Sequence, residues 1–553
     1  MPEISTLEKA RSAYQPKLPQ VFREHGPLVG IKESGKTQSA GDQTAIEKTF
    51  PHTYGAPIIT FQGEAQLSFS PIRIGVVLSG GQAPGGHNVI AGLYDALKAM
   101  HSESQLIGFL GGPSGMIDNE YKVLDDETID QYRNTGGFDI IGSGRTKLEN
   151  PDQFARVAEN CATQNIQAVV VIGGDDSNTN ACMLAEYFCQ NNIDIRIVGC
   201  PKTIDGDLKN GQVETSFGFD TATKLYSELI GNIQRDANSA RKYWHFIKLM
   251  GRSASHIALE CALKTHANVT LISEEVAAKK QTLEQITRDI AEAVLKRSAN
   301  KRNFGVVLVP EGLIEFIPEM KTLISELNEL LAENDAYFKS LETTDDKLQF
   351  VNSRLSAASS HAFSSLPGDI QAQLLQDRDP HGNVQVSRIE TEKLLIDLVG
   401  DMLREWKAQG KYAGKFSTQN HFLGYEGRCA APSNFDADYC YSIGYTAACL
   451  VESGKTGYMA SVRNLHKPAS KWVAGGVPLT MMMNMERRKG HDHPVIRKAL
   501  VELKGKPFKE FAANRNRWMT DDCYLYPGPI QYFGPEEVCD QISETLRLEH
   551  QDK

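Results

Sequence analysis

The residues that decide the fold are 72–88, which read IRIGVVLSGGQAPGGHN. The first eight, IRIGVVLS, are rich in β-branched residues, as expected of a strand that is buried on both faces. A glycine-rich stretch from Gly80 to Gly86 follows directly, and a segment of helical length comes next. A strand, a turn and a helix in this order predict the first unit of a parallel α/β sheet.

The same pattern recurs along the chain in two series. The first series adds strands at 106–110, 168–172 (AVVVI) and 195–199. The second comprises a strand at 244–249, a helix at 255–264, a strand at 269–272, a helix at 283–297 and a strand at 304–309. We therefore expect an α/β protein with two doubly wound parallel-sheet domains and a cleft between them.

Composition narrows the function classes. The 553 residues include 59 Lys and Arg against 69 Asp and Glu, and the net charge of −10 argues against a chain-wide nucleic-acid surface. A small anionic substrate needs only a locally positive pocket. The ten cysteines form no Cys-x-x-Cys pair, and no apolar run reaches the roughly 18 residues that span a membrane. These features predict a cytoplasmic protein without a zinc ribbon, a dithiol site or a membrane segment.

Two glycine-rich stretches suggest phosphate binding. Residues 30–37, GIKESGKT, fit the P-loop expression, but no strand or apolar-faced helix flanks them, so an exposed turn is the better interpretation. Gly80 and Gly81 instead follow a predicted strand, where backbone N–H groups can converge on phosphate oxygens. The alternative is a turn that needs glycine only for tight packing.

Carboxylates follow the next two strands at the same sheet edge. In GGDD at 173–176, adjacent carboxylates near a phosphate would require a divalent cation, which makes Asp175 or Asp176 a magnesium-ligand candidate; capping of the following helix is the alternative. In PKTIDGD at 201–207, one Asp can act as a general base and the other lie near metal, while Lys202 neutralises phosphoryl charge. A turn without chemistry is the alternative there.

Three arginines beside glycines are candidate phosphate clamps, because a guanidinium holds phosphate through two parallel hydrogen bonds. They are Arg145, Arg252 and Arg428. Each could equally be a surface charge. His491 and His493 could bind a metal, but no third ligand is evident in the sequence.

Five motifs in order resemble those of the phosphofructokinases. They are GGDD at 173–176, PKTIDGD at 201–207, MGR at 250–252, PEG at 310–312 and GYEGR at 424–428. Specifically, the chain resembles the long pyrophosphate-dependent group, and the resemblance extends from about residue 72 to at least 488. The resemblance implies reversible, Mg²⁺-dependent phosphorylation of fructose 6-phosphate by pyrophosphate in glycolysis and gluconeogenesis.

The resemblance also implies roles for individual residues. Asp205 would be the base that takes the proton of the sugar 1-hydroxyl, with Asp176 and Lys202 also catalytic and Asp175 and Asp207 holding magnesium. Gly80, Gly81 and Arg145 would bind pyrophosphate. The fructose 6-phosphate site would consist of Thr203, Ile204, Asp205, Lys242, Tyr243, Met250, Gly251, Arg252, Glu311, Tyr425, Glu426, Gly427 and Arg428.

The choice of phosphoryl donor is implied by two of these positions. ATP-dependent relatives have glycine in place of Asp176 and lack Lys202. A carboxylate at Asp176 would occupy the place of a nucleotide α-phosphate and repel the longer ligand. An ATP-dependent enzyme and a non-catalytic sugar-phosphate-binding subunit are the alternatives.

The sequence patterns and the family resemblance together predict the domain boundaries of the chain. We expect an N-terminal extension at 1–70, irregular because its periodicity is weak, and a donor domain at 71–216 that is completed by about 427–480. A fructose 6-phosphate domain at 217–426 would contain a helical insertion at about 313–420, and a helical segment at 481–553 would pack on the domains. Lys242 and Tyr243 replace an arginine that related enzymes supply from a neighbouring subunit, so we expect a homo-oligomer, most simply a homodimer.

Overall fold

The computed structural model describes residues 4–65, 67–376, 384–488, 491–539 and 542–551. The chain divides into two compact units. The first, called unit 1, comprises residues 1–225, 425–499 and 530–553, and unit 2 comprises residues 226–424 and 500–529.

The strands of the described residues are β1 (Val29–Lys36), β2 (Pro57–Glu64), β3 (Arg73–Leu78), β4 (Gln105–Phe109), β5 (Tyr121–Leu124), β6 (Ala168–Gly173), β7 (Arg196–Pro201), β8 (Trp244–Leu249), β9 (Val269–Thr270), β10 (Gly305–Pro310), β11 (Thr418–Leu423), β12 (Tyr458–Arg463), β13 (Val473–Pro478), β14 (Met483–Arg488) and β15 (His491–Ile496).

The α-helices are α1 (Thr6–Ser12), α2 (Gln20–His25), α3 (Gln43–Thr49), α4 (Gly86–Met100), α5 (Pro113–Asp118), α6 (Asp126–Tyr132), α7 (Pro151–Thr163), α8 (Asp175–Gln190), α9 (Phe219–Ala240), α10 (His256–Thr265), α11 (Ser273–Lys279), α12 (Leu283–Ala299), α13 (Leu313–Phe316), α14 (Pro318–Glu333), α15 (Asp335–Ser340), α16 (Thr344–Asn352), α17 (Ala357–Ser364), α18 (Gly368–Leu374), α19 (Thr391–Ala408), α20 (Tyr425–Cys429), α21 (Asn434–Glu452), α22 (Lys506–Thr520), α23 (Glu536–Cys539) and α24 (Glu544–His550).

Unit 1 is built on a nine-stranded sheet of order β1-β2-β13-β12-β7-β6-β3-β4-β5. Its centre, β4-β3-β6-β7-β12, is parallel, and antiparallel strands complete both edges. Every residue of β6 is buried, as the continuous apolar run of residues 168–172 predicts. The strands expected at 72–79, 106–110, 168–172 and 195–199 are all present, and the predicted fold class is confirmed.

The N-terminal residues differ from the irregular extension that we expected. They form β1 and β2, and β2 pairs with β13 and so adds this hairpin to the sheet. The P-loop-like stretch 30–37 lies almost entirely within β1, an edge strand whose outer part is exposed, and so forms neither a phosphate loop nor a turn. An edge strand with one solvated face has a weak hydrophobic pattern, and this strand is therefore hard to recognise from its residues alone.

Unit 2 contains a parallel four-stranded sheet of order β11-β8-β10-β9. Helix α12 begins with a capping box in which Thr282 and Gln285 satisfy each other's backbone N–H groups. The helices from α13 to α19 follow β10 and share a large apolar core with β8 and β10. The expected insertion is therefore a set of helices packed on the sheet of unit 2. Part of the expected loop at 367–383, residues 377–383, lies outside the described residues.

The last part of the chain is less helical than expected. It begins with the antiparallel hairpin of β14 and β15 before α22, α23 and α24. All ten cysteines are free. Within the ranges that the structure describes, no helix is both long and apolar enough to cross a membrane.

Candidate active site

Three loops meet at the carboxyl edge of the sheet in unit 1. They follow β3, β6 and β7, which are adjacent parallel strands. The backbone N–H of Ser79 donates to the Ile172 carbonyl at 2.8 Å, and that of Lys202 donates to the Gly173 carbonyl at 2.9 Å. The Ser177 hydroxyl bonds to that of Ser79 at 2.8 Å. The three motifs that the sequence placed at this edge therefore lie side by side.

Cationic side chains converge on the glycine pair after β3. Gly80 has φ +88°, and a Cβ there would lie 3.1 Å from Lys202 Nζ. A Cβ on Gly81 would lie 2.5 Å from Arg428 Nη1 and 3.3 Å from Arg145 Nη2. We call Arg145, Lys202 and Arg428 the cationic cluster. Glycine at both positions leaves the space that these cations occupy.

The cationic cluster is electrostatically unfavourable by itself. Lys202 is only 5% exposed. Burial, followed by the charge of Arg428 and also that of Arg145, lowers the pKa of Lys202 to about 7, although Asp205 and Asp175 oppose the shift. An anion bound here would restore the favourable environment for the ammonium group.

The second glycine pair of the same stretch has a different role. A Cβ on Gly85, which has φ +98°, would lie 2.3 Å from Cys440 Sγ, and one on Gly86 would lie 2.1 Å from the Phe138 ring. These glycines allow close packing at the start of α4. Tight packing therefore explains Gly85 and Gly86, whereas Gly80 and Gly81 face the cations.

Three carboxylates form an opposing group, the acidic cluster of Asp175, Asp205 and Asp207. Burial and the charges of Asp205 and Asp175 raise the pKa of Asp207 to about 8. Within the described chain, Oδ1 of Asp205 is buried without a hydrogen-bond partner. Neighbouring carboxylates that repel one another, with Asp207 buried, suit a divalent cation with oxygen ligands.

Helix α8 presents Asp175 and Asp176 in its first turn. The residue that caps this helix is Gly174, without a side-chain hydrogen bond, so the capping alternative for the Asp pair does not apply. Carboxylates are stabilised at this positive end of the helix.

Lys498 is a site residue that sequence reasoning missed. Its Nζ lies 3.3 Å from Oδ2 of Asp175, and the backbone N–H of Ala499 donates to the Asp207 carbonyl at 2.7 Å. Burial lowers the pKa of Lys498, but Asp175, Asp207 and Asp176 outweigh that effect and raise it, so the ammonium group stays charged. Lys498 follows the hairpin of β14 and β15, and no local pattern connects it with residues 300 positions earlier.

Several predicted sugar-phosphate residues lie in unit 1. Thr203 accepts the backbone N–H of Asp205 at its Oγ1, at 3.1 Å. Ile204 is fully buried, so only its backbone is available to a ligand. Tyr425 is 65% exposed and begins α20, which also carries Glu426, Gly427 and Arg428.

The other predicted residues lie in unit 2. Gly251, at φ +126°, donates its backbone N–H to Oε2 of Glu311 at 2.9 Å. Arg252 pairs with Glu315 at 3.2 Å, and Met250 is buried. Elsewhere in unit 2, the exposed Lys242 lies over the Tyr243 ring, 4.9 Å from its centre. The side chain of His491, a suggested metal ligand, lies outside the described residues.

Comparison with known proteins finds relatives along nearly the whole chain. The chain is 57% identical to a pyrophosphate–fructose 6-phosphate 1-phosphotransferase of Porphyromonas gingivalis, over 99% of this chain and 100% of that protein. It is 55% identical to the protein of the same name from Treponema pallidum, over 99% of this chain and 97% of that one. The subunit beta 2 of the Arabidopsis thaliana enzyme is 50% identical, over 99% of this chain and 94% of that subunit.

Solved structures share the fold at low identity. A pyrophosphate-dependent phosphofructokinase from Nitrosospira multiformis has a TM-score of 0.53 at 16% identity, over 86% of this chain and 96% of that chain. The corresponding protein from Marinobacter aquaeolei has a TM-score of 0.51 at 15% identity, over 82% of this chain and 93% of that chain. The phosphofructokinase family model matches residues 73–451. With that match and relatives of more than 50% identity along nearly its whole length, the chain belongs to the phosphofructokinase family.

Proposed function

We propose that the chain transfers a phosphoryl group reversibly from pyrophosphate to the 1-hydroxyl of fructose 6-phosphate. The products are fructose 1,6-bisphosphate and phosphate. The observation that carries the proposal is the juxtaposition of the cationic and acidic clusters at one sheet edge. Relatives with the matching name, similar over nearly their whole length, support it.

The cationic cluster would bind pyrophosphate. Lys202, Arg145 and Arg428 approach Gly80 and Gly81, whose missing side chains let phosphate oxygens reach the backbone. Phosphoryl transfer depends mainly on positioning and on neutralising charge, which three converging cations supply. Lys202 would also stabilise the phosphate that leaves.

Asp205 would take the proton of the sugar hydroxyl as the hydroxyl oxygen attacks phosphorus. Its unsatisfied Oδ1 is an available proton acceptor, and the bond from its backbone N–H to Thr203 Oγ1 fixes the loop. A positioned base of this kind contributes about 10²- to 10⁴-fold to the rate.

Magnesium fits the acidic cluster. Asp175 and Asp207 would hold the ion, since three neighbouring carboxylates, of which Asp207 is buried, need positive charge and carboxylate oxygens are the ligands that Mg²⁺ prefers. When bound, the ion would neutralise charge on the phosphoryl oxygens. Lys498 already supplies one positive charge beside Asp175 and so limits the repulsion there.

Each unit contains candidate residues for the sugar phosphate. In unit 2, Arg252 would contribute positive charge, and Glu311 fixes the Gly251 backbone. In unit 1, Arg428 would contribute positive charge, and the exposed Tyr425 is available for contact. The exposed Lys242, with Tyr243, would contact the substrate of a neighbouring copy, so we propose a homodimer. We also propose that the protein is cytoplasmic.

The decisive experiment measures activity with each donor. Purified protein is supplied with fructose 6-phosphate and Mg²⁺, and with either pyrophosphate or ATP. We expect activity with pyrophosphate alone in the wild type. Activity with ATP alone would establish the ATP-dependent alternative, and no activity with either donor would support a binding subunit.

The double variant Asp176→Gly with Lys202→Gly tests the donor assignment. Because it removes a charged contact to pyrophosphate, we expect its KM for pyrophosphate to rise about tenfold or more, and ATP use to appear where the repelling carboxylate is lost. Lys301→Gly, at an exposed position with φ +59°, is the matched control and should behave as wild type. Unchanged pyrophosphate kinetics in the double variant would refute the assignment.

A further inference from the structure

The loop after β7 is held at two points by the C-terminal helix α24. This loop, residues 202–217, carries Asp205 and Asp207 near its start. Further along, Lys209 Nζ donates to Oε1 of Glu549 at 2.6 Å. The carboxylate of Glu214 lies beside the last helical residue, with its Oε2 3.9 Å from Nε2 of His550.

Glu214 is fixed in place by backbone donors. Its Oε1 accepts the N–H of Asn464 at 2.9 Å, and its Oε2 accepts that of Leu465 at 2.8 Å. The next residue is His466, whose ring stacks on that of His550 with centres 4.2 Å apart. Two imidazoles and one immobilised carboxylate thus gather where three separate segments of unit 1 meet.

We propose that Glu214, His466 and His550 form a binding site for a first-row transition dication, with Zn²⁺ as the best-suited ion. One ligand atom from each residue lies within 4.8 Å of the other two. Among the described residues, Nδ1 of His550 is buried and has no hydrogen-bond partner. Two imidazole nitrogens and a carboxylate oxygen favour Zn²⁺ over Mg²⁺, which prefers oxygen ligands alone.

Coordination requires one local adjustment. The two rings are nearly parallel, at 8°, so their in-plane lone pairs run side by side rather than toward a common point. One ring must turn about its Cβ–Cγ bond before both nitrogens reach the same ion. His466 borders a cavity of about 680 Å³, which offers space for that movement and a route of entry for the ion.

The consequence is a metal-dependent attachment of the C-terminal helix. An ion bound by all three residues would join α24, the segment after β12 and the loop that carries Asp205 and Asp207. The site is separate from the magnesium candidates, because it uses none of Asp175, Asp205 and Asp207. Binding would stabilise the folded chain by RT ln(1 + c/Kd), where c is the free Zn²⁺ concentration, and so increasingly as c rises above Kd.

The test measures Zn²⁺ binding to metal-stripped full-length protein by competition with a chromophoric chelator. We expect one tight equivalent in the wild type. Glu214→Gln and His550→Gln should each bind this equivalent at least about tenfold more weakly. No tight equivalent in the wild type, or unchanged affinity in both variants, would overturn the proposal.

Matched variants separate ligation from other causes. Lys209→Met breaks the ion pair to Glu549 but keeps the three ligands, so it should retain tight Zn²⁺ binding. Cys429→Ser removes an exposed thiol and should also retain it; loss of the equivalent in Cys429→Ser would show a thiol site and contradict the proposal. The thermal midpoint should rise with Zn²⁺ in the wild type and in Lys209→Met, but not in His550→Gln, and an equal rise in His550→Gln would count against it.

Discussion

The cationic cluster and the acidic cluster lie at the same sheet edge but show opposite electrostatic strain. Burial together with Arg428 and Arg145 lowers the pKa of Lys202 to about 7. Burial together with Asp205 and Asp175 raises that of Asp207 to about 8. In each cluster the charged form is penalised by like charges, and a ligand of opposite sign relieves the penalty.

The protein offsets the repulsion between like charges differently in the two clusters. The acidic cluster contains a cation of the chain itself, because Lys498 lies 3.3 Å from Asp175. The cationic cluster depends on space, since Gly80 and Gly81 provide the room into which its side chains extend. Substitutions that change the charge of a side chain should therefore disturb the acidic cluster most. Substitutions that enlarge a side chain should disturb the cationic cluster most.

The largest effect should come from Asp205→Ser. It removes the proposed proton acceptor and leaves the cationic cluster intact, so kcat should fall about 10²- to 10⁴-fold while pyrophosphate binding changes little. Steady-state kinetics and equilibrium binding of pyrophosphate would separate the two quantities. Asp194→Asn, an exposed site of the same residue type, is the control. A kcat within a fewfold of wild type would remove Asp205 from the role of base.

The positions of the two clusters were largely predictable from sequence, because local patterns indicate where parallel strands end. The runs at 72–79, 168–172 and 195–199 placed Gly80, Asp175 and Lys202 at one sheet edge. Lys498 was not predictable, since its contact with Asp175 depends on a distant hairpin. Nor could composition distinguish Gly80 and Gly81 from Gly85 and Gly86, because the difference depends on which side chains approach them.

The next largest effects should come from substitutions in the two glycine pairs, Gly80 with Gly81 and Gly85 with Gly86. In Gly81→Ala the new methyl group meets the flexible end of Arg428, so the guanidinium can move and the fold should tolerate it. We expect the KM for pyrophosphate to rise about tenfold, as a charged contact weakens, with little change in thermal midpoint. Gly35→Ala, where a Cβ would have no neighbour within 4 Å, is the silent control.

Gly85→Ala should give the opposite result. Its Cβ would lie 2.3 Å from Cys440 Sγ at φ +98°, so strain and overpacking should lower the thermal midpoint, and the properly folded fraction should keep a near-normal KM. Thermal unfolding and kinetics on the same samples provide both readouts. Equal loss of stability in Gly81→Ala and Gly85→Ala would mean that both pairs serve packing alone.

The smallest effect is the pH dependence that follows from Lys202. With a pKa of about 7 in the folded protein, the ammonium group loses its charge as the pH rises through 7, so pyrophosphate binds less well. The value of kcat/KM for pyrophosphate, which reports the free enzyme, should therefore fall above pH 7 to a plateau about tenfold lower, the loss expected when the charged contact is removed. At saturating Mg²⁺, the ion proposed at Asp207 would keep that carboxylate deprotonated and its titration out of the profile. Lys202→Met experiences the same ionisation of pyrophosphate, so its profile should be lower and lack this decline. An identical decline in Lys202→Met would assign it to another group and show that the cationic cluster binds pyrophosphate without a titrating lysine.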